Sequence, residues 1–124
     1  LEAAVVGFIN TIRDGHPTTP IKIVSPFYCP IHEKTPGPGA FDTSSFGSGQ
    51  IRFIATGEPD EHGRLTLEMV REVVEGFVEK QKDPHLTYVD GASLYQEGDA
   101  PLLDNLHPDE ASHALIAQRL LKQL

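Results

Sequence analysis

A chain of 124 residues, 39% of them hydrophobic and 23% charged, has the length and composition of one globular domain at most. Its net charge of −8 excludes broad binding to the phosphate backbone of nucleic acids, which needs clusters of Lys and Arg. No apolar run reaches the roughly 18 residues of a membrane-spanning helix. The single cysteine, Cys29, excludes an internal disulfide and a cysteine-based zinc site, and it fits a reducing compartment such as the cytoplasm.

The first part of the chain predicts a helix followed by a buried strand. Apolar residues recur at helical spacing from Leu1 to Ile12, which predicts an amphipathic helix over residues 1–14 that stops at Gly15. The apolar, β-branched run at residues 21–25 predicts a buried strand. Because the helical pattern is already present at Leu1, with neither an initiator Met nor a signal peptide before it, we expect the chain to begin inside a larger protein.

Residues 30–63 form a long segment rich in Gly and Pro. Its stretch EKTPGPGAFDTSSFGSG predicts no regular element, whereas residues 51–54 predict a short edge strand or a segment that simply packs down. The acidic residues from Glu58 to Glu61 predict a solvated loop. So long a loop in a small domain is often functional. Two interpretations of this segment therefore remain: the rim of an active site, or a linker without a function of its own.

The second part predicts two more helices around a second strand. Thr66 is placed to cap a helix that ends before Asp83, and residues 86–90 predict a strand. Pro108 predicts the first turn of a last helix, because a proline at this position gives up no hydrogen bond.

The resulting order of helix, strand, helix, strand and helix indicates an α/β protein with parallel strands and crossover helices. Two strands are too few for such a sheet, which needs covered faces and further neighbours and would otherwise leave long edges unpaired. We therefore expect residues 1–124 to be the second half of a larger sheet domain. Its partner would be the N-terminal half, in the same or a separate chain, although the open edge also allows a homo-oligomer.

The segment LLDNLHPDE places an aspartate three residues before a histidine, directly ahead of the last helix. Asp104 and His107 have the chemistry of the acid and base of a catalytic triad, because a carboxylate on one imidazole nitrogen orients the ring and leaves the other nitrogen to take a proton. Taken alone, the same pair also fits a turn residue followed by a helix cap.

The segments PIKIVSP, LTYVDG and LLDNLHPDEASHALIAQRL, in this order and spacing, resemble the C-terminal half of SGNH (GDSL-type) hydrolases. Within that superfamily, HPTTPIKIVSPFYCPIHE is most similar to bacterial GDSL-like lipase/acylhydrolase proteins. The resemblance covers nearly the whole chain. It implies a three-layer α/β sandwich with a parallel, flavodoxin-like sheet, of which this chain supplies only the C-terminal part.

The resemblance also implies a carboxylic ester hydrolase of the esterase, lipase or acylhydrolase type, with a small-molecule or lipid ester as substrate and no metal or cofactor. His107 would be the general base and Asp104 the residue that orients it. The family's nucleophilic serine and its oxyanion glycine and asparagine would lie upstream of this chain, which alone is then expected to be inactive. Asn10 lies inside the first predicted helix and does not match that asparagine.

Two alternatives stay open beside the hydrolase. One is an acyltransferase of the same fold, and the other is a non-catalytic binding or interaction fragment that needs a partner chain. For either enzyme, Phe27, Tyr28 and Leu106 are candidate substrate-lining residues, because loops at the carboxyl ends of parallel strands form the active-site side of such sheets.

The remaining histidines and the cysteine indicate no second site. His113 is predicted to pack or to be partly exposed on the last helix, and Cys29 to be a buried, unreactive thiol. The other histidines are too scattered to indicate a metal site; they are His16, His32, His62 and His85.

Overall fold

The computed structural model describes residues 1–58 and 63–124, so that His62 and most of the predicted acidic loop, from position 59 on, lie outside the described residues. The helices are α1 (Glu2–Gly15), α2 (Leu67–Gln81), α3 (Gly91–Leu94) and α4 (Glu110–Leu121). The strands are β1 (Ile21–Val24), β2 (Gly39–Asp42), β3 (Arg52–Ala55) and β4 (Leu86–Val89). Within the described residues, no helix is long and apolar enough to cross a membrane.

A small parallel sheet forms the centre of the fold. Strands β1 and β4 pair in parallel, with Ile21 opposite Leu86 and Val24 opposite Val89. The predicted α/β class and the parallel pairing are therefore confirmed, whereas the flavodoxin-like SGNH fold stays a prediction. Each of these two strands has one hydrogen-bonded neighbour within residues 1–58 and 63–124, which leaves the far edge of each strand open.

Helices cover both faces of this sheet, because side chains alternate between the faces along a strand. Leu86 packs with Ile9 of α1 and Phe77 of α2. Val89, three positions along the same strand, packs with Leu94 of α3 and Ile116 of α4. The sheet is thus enclosed between α1 with α2 on one side and α3 with α4 on the other.

The starts of the two longer C-terminal helices depend on side-chain caps. Thr66 accepts a hydrogen bond on its Oγ1 from the amide of Met69 at 3.2 Å, which confirms the predicted cap of α2. The prediction that Pro108 lies in the first turn of α4 is wrong. Asp109 is the N-cap and accepts a bond from the amide of Ser112 at 2.8 Å, so that Pro108 precedes the cap.

A hairpin interrupts the long Gly/Pro-rich segment. Strands β2 and β3 pair antiparallel with Phe41 opposite Phe53. The predicted strand at 51–54 is therefore confirmed with a shift of one residue. The prediction of no regular element at 33–49 is wrong for strand β2 and for a short 3₁₀ helix at Thr43–Ser45. Local glycines and prolines disfavour a strand there, but the ladder to β3 supplies the hydrogen bonds that a loop would lack.

Candidate active site

Asp104 and His107 lie on a tight turn between α3 and α4 that the aspartate side chain itself organises. Asp104 Oδ1 accepts hydrogen bonds from the backbone amides of Leu106 at 2.9 Å and His107 at 2.7 Å. Asn105 between them has a φ of 69°, a left-handed conformation that asparagine tolerates better than most residues. The local sequence Asp-Asn-Leu-His therefore folds back on its own first side chain, which brings the histidine ring to the carboxylate.

The second carboxylate oxygen contacts the imidazole. Asp104 Oδ2 lies 2.7 Å from His107 Nδ1, a short distance for a charge-assisted hydrogen bond. The histidine side chain is 67% exposed and the aspartate side chain 26%. Among the described residues, Nε2 of His107 has no hydrogen-bond partner, so this nitrogen is open to an incoming group.

The environment keeps the Asp104 carboxylate ionised at neutral pH. Burial by itself would raise the pKa of Asp104, but the bonds from the His107 amide, the His107 ring and the Leu106 amide outweigh burial and lower the pKa below its ordinary value. An ionised carboxylate on Nδ1 holds the proton of a neutral imidazole on that nitrogen and leaves Nε2 as a free acceptor. An imidazole in this arrangement has the chemistry to accept a proton on Nε2.

The β2–β3 hairpin is attached to the same turn. The amide of Phe53 donates to the carbonyl of Asp104 at 2.9 Å, and Asn105 Nδ2 donates to the carbonyl of Phe53 at 3.3 Å. Gln50 Nε2 donates to the carbonyl of Leu103 at 2.7 Å. Sequence reasoning missed this contact, because the residues involved are about 50 positions apart. The available signal was the apolar residues in GAFD and RFIA, which are compatible with two paired strands.

Three rings follow one another from the hairpin to the base. The ring of Phe53 meets the ring of His107 edge to face, with centroids 5.6 Å apart and an interplanar angle of 79°. Phe41, across the hairpin, contacts Phe53 in a tilted arrangement, with centroids 5.1 Å apart and an interplanar angle of 36°. We call Phe41, Phe53 and His107 the aromatic row.

The three predicted substrate-lining residues share one neighbourhood. Phe27, Tyr28 and Leu106 are all half-buried against the core cluster around Val89 and Leu94. Tyr28 also lines a small cavity of about 180 Å³ together with Asn105 of the histidine turn. The three residues therefore share one core cluster, Tyr28 lies beside the histidine turn, and contact with a substrate stays a prediction.

The other polar candidates lie apart from this pair. Asn10 is exposed on α1, and His113 is exposed on α4. Burial raises the pKa of the Cys29 thiol, and its Sγ faces the carbonyl of Asn105 at 3.6 Å, as an unreactive thiol would. Within residues 1–58 and 63–124, no group of three or more potential ligands could hold a metal ion.

No serine in the described part of the chain is hydrogen-bonded to the His107 ring. Ser25, at the carboxyl end of β1, is buried and held by the Tyr88 hydroxyl at 3.0 Å and the Gly91 amide at 2.9 Å. A hydroxyl with these structural partners is not free to act as a nucleophile. The turn therefore pairs a carboxylate with an imidazole, and no serine of the described residues contacts the ring.

Comparison with known proteins gives a likeness of fold. Neither a protein-family model nor a curated protein matches the chain. Among solved structures, the chain is similar to "Salicylyl-Acyltransferase SsfX3 from a Tetracycline Biosynthetic Pathway", with a TM-score of 0.66 and 23% sequence identity. The match covers 98% of this chain and 30% of that protein, so the chain spans less than a third of the neighbour's length. At this identity the likeness shows a shared fold.

Proposed function

We propose that this chain is the C-terminal half of an SGNH-type serine hydrolase domain that cleaves a carboxylic ester. The observation that carries the proposal is the 2.7 Å contact between Asp104 Oδ2 and His107 Nδ1, on a histidine whose side chain is 67% exposed. A carboxylate and an imidazole in this relation form two members of a Ser-His-Asp triad. The remaining member, a serine, is expected from the N-terminal half.

The proposed reaction has two steps, acylation of the serine and hydrolysis of the acyl-enzyme, and in each step His107 takes up one proton and gives it back. Nε2 takes the proton of the serine hydroxyl as its oxygen attacks the ester carbonyl, and the resulting imidazolium returns that proton to the alkoxide that leaves. An acyl-enzyme and a free alcohol result. Water then repeats the sequence on the acyl-enzyme and releases the acid, while Asp104 stabilises each imidazolium.

The open edge of the sheet supports the need for a second half. A groove of about 450 Å³ runs between α1 and the free side of β1. It is lined almost wholly by apolar side chains, among them Phe8, which is 68% exposed. Such a surface beside an unpaired parallel strand is typical of a sheet that continues. The lining residues are Ala4, Val5, Phe8, Ile9, Ile12, Ile21, Lys22 and Ile23.

The test is hydrolysis of p-nitrophenyl acetate by the full-length protein that contains this chain. The His107→Ala variant should lose about 10⁴-fold or more in kcat, because it removes the base that the serine needs. His113→Ala is the matched control, because His113 is also exposed, lies six residues further on in α4 and has no side-chain contact with Asp104 among the described residues. A wild-type protein without activity, or equal losses in both variants, would contradict the proposal.

The second candidate is transfer of the acyl group to an alcohol, which the likeness to a salicylyl-acyltransferase favours. The same base serves both reactions, since an alcohol can replace water in the second step. Adding a primary alcohol to the assay separates the two. A transferase forms a new ester at the expense of free acid, whereas a hydrolase continues to release mainly acid.

A further inference from the structure

We propose that the Phe41–Phe53 face of the β2–β3 hairpin binds the alcohol part of the ester and selects for an apolar, aromatic alcohol. This inference rests on the proposed function and deepens it by naming a substrate class. In a hydrolase, the hairpin would contact the alcohol that leaves the ester. In a transferase, it would contact the alcohol that accepts the acyl group.

The position of the hairpin relative to the base is set by hydrogen bonds. Three hydrogen bonds join the two parts: Gln50 and Phe53 of the hairpin segment donate to the carbonyls of Leu103 and Asp104, and Asn105 of the turn donates to the carbonyl of Phe53. The Phe53 ring therefore keeps its edge-to-face contact with His107, and Phe41 extends the same surface by one ring. A hairpin that was merely a linker would not need this attachment to the catalytic turn.

The exposure of the two phenylalanines differs in a way that suits a binding surface. Phe53 is half-buried between its two ring neighbours, whereas Phe41 is 56% exposed although it is a large apolar side chain. An exposed ring that packs against a fixed ring offers an apolar face that a ligand ring can cover. Phe53 thus positions the histidine, and Phe41 provides the free surface.

The direction of proton transfer identifies which part of the ester lies there. His107 must reach the oxygen of the leaving alcohol in order to return its proton, so that oxygen lies next to the imidazole in the second step. The group attached to it extends beside the ring of His107, which is where Phe53 and Phe41 lie. When the alcohol leaves, the acyl group is bonded to the serine, so we expect residues near that serine, rather than the hairpin, to contact the acyl group.

The experiment compares three esters with the full-length protein, measured by acid release at constant pH. Benzyl acetate has an aromatic alcohol part, ethyl benzoate an aromatic acyl part, and ethyl acetate neither. For Phe41→Ala, KM for benzyl acetate should rise roughly 3- to 10-fold, the range that the loss of one aromatic contact produces. KM for the other two esters, and kcat for all three, should change less than about twofold.

Two further variants make the comparison specific. Phe46→Ala is the matched control, because Phe46 lies in the same segment, is 55% exposed and has no ring contact with the row among the described residues. Phe41→Tyr keeps the ring and should retain the wild-type KM for benzyl acetate. Both variants should keep the wild-type ratio of KM for benzyl acetate to KM for the other two esters.

The outcomes separate the two proposals. If the wild type hydrolyses esters but Phe41→Ala has the same profile as Phe46→Ala, the hairpin inference is wrong and the proposed function stands. If ethyl benzoate is the ester affected, the assignment to the alcohol side is wrong. If the wild type hydrolyses none of the esters and transfers no acyl group, the proposed function fails and the inference fails with it.

Discussion

Replacing Asp104 by asparagine should remove activity while leaving the turn folded. Asp104 accepts two backbone bonds on Oδ1 and the histidine ring on Oδ2. An asparagine whose oxygen takes the place of Oδ1 keeps both backbone bonds but turns an NH₂ group toward His107 Nδ1, which must then accept. The imidazole proton moves to Nε2, where it blocks uptake of the serine proton. We expect kcat to fall about 10⁴-fold, as in other triads with the wrong tautomer.

The free energy of unfolding should change by about 1 kcal/mol or less, because the lost ionic contact involves a largely exposed histidine. The assay is p-nitrophenyl acetate hydrolysis by the full-length protein, with urea unfolding of the same preparations. Asp109→Asn is the control, since asparagine caps a helix as well as aspartate does and the Asp109 side chain accepts its capping bond from the Ser112 amide. An Asp104→Asn protein that is folded and within about tenfold of wild-type activity would refute the reasoning.

Two further predictions concern stability. A Cβ at Gly91 would lie 2.1 Å from the carbonyl oxygen of Ser25, so Gly91→Ala should lower the free energy of unfolding by about 3 kcal/mol. A Cβ at Gly76 on α2 meets no atom within 4 Å, so Gly76→Ala should raise the free energy of unfolding by about 0.5–1 kcal/mol. Equal urea midpoints for the two variants would contradict this prediction. The Arg119 guanidinium lowers the pKa of Asp99, so the stability that Asp99 contributes is present above its unfolded pKa of about 3.9 and is lost as the pH falls through the lower folded value. In Asp99→Asn, the urea midpoint of unfolding should therefore fall less steeply as the pH is lowered into the acidic range. An unchanged fall would show that the Asp99–Arg119 pair contributes nothing to stability.

The sequence by itself determined the features that depend on neighbours along the chain. Helical spacing predicted α1 and α2, and β-branched runs predicted β1 and β4 within one residue of their ends. Asp104 and His107 were singled out by their spacing together with the family resemblance, and their contact forms locally because three residues suffice for the carboxylate to cap its own turn and reach the ring. Their pairing needs no distant part of the chain.

Only the tertiary structure decided what surrounds that pair. Strand β2 forms among glycines and prolines because β3 completes its ladder, and Phe53 reaches His107 because hydrogen bonds join segments about 50 residues apart. Gly91 reads in the sequence as the end of a strand, yet its lack of a side chain is what lets the chain pass the backbone of Ser25 and Pro26. Contacts of this kind depend on the packing of distant elements, which local patterns of residues do not encode.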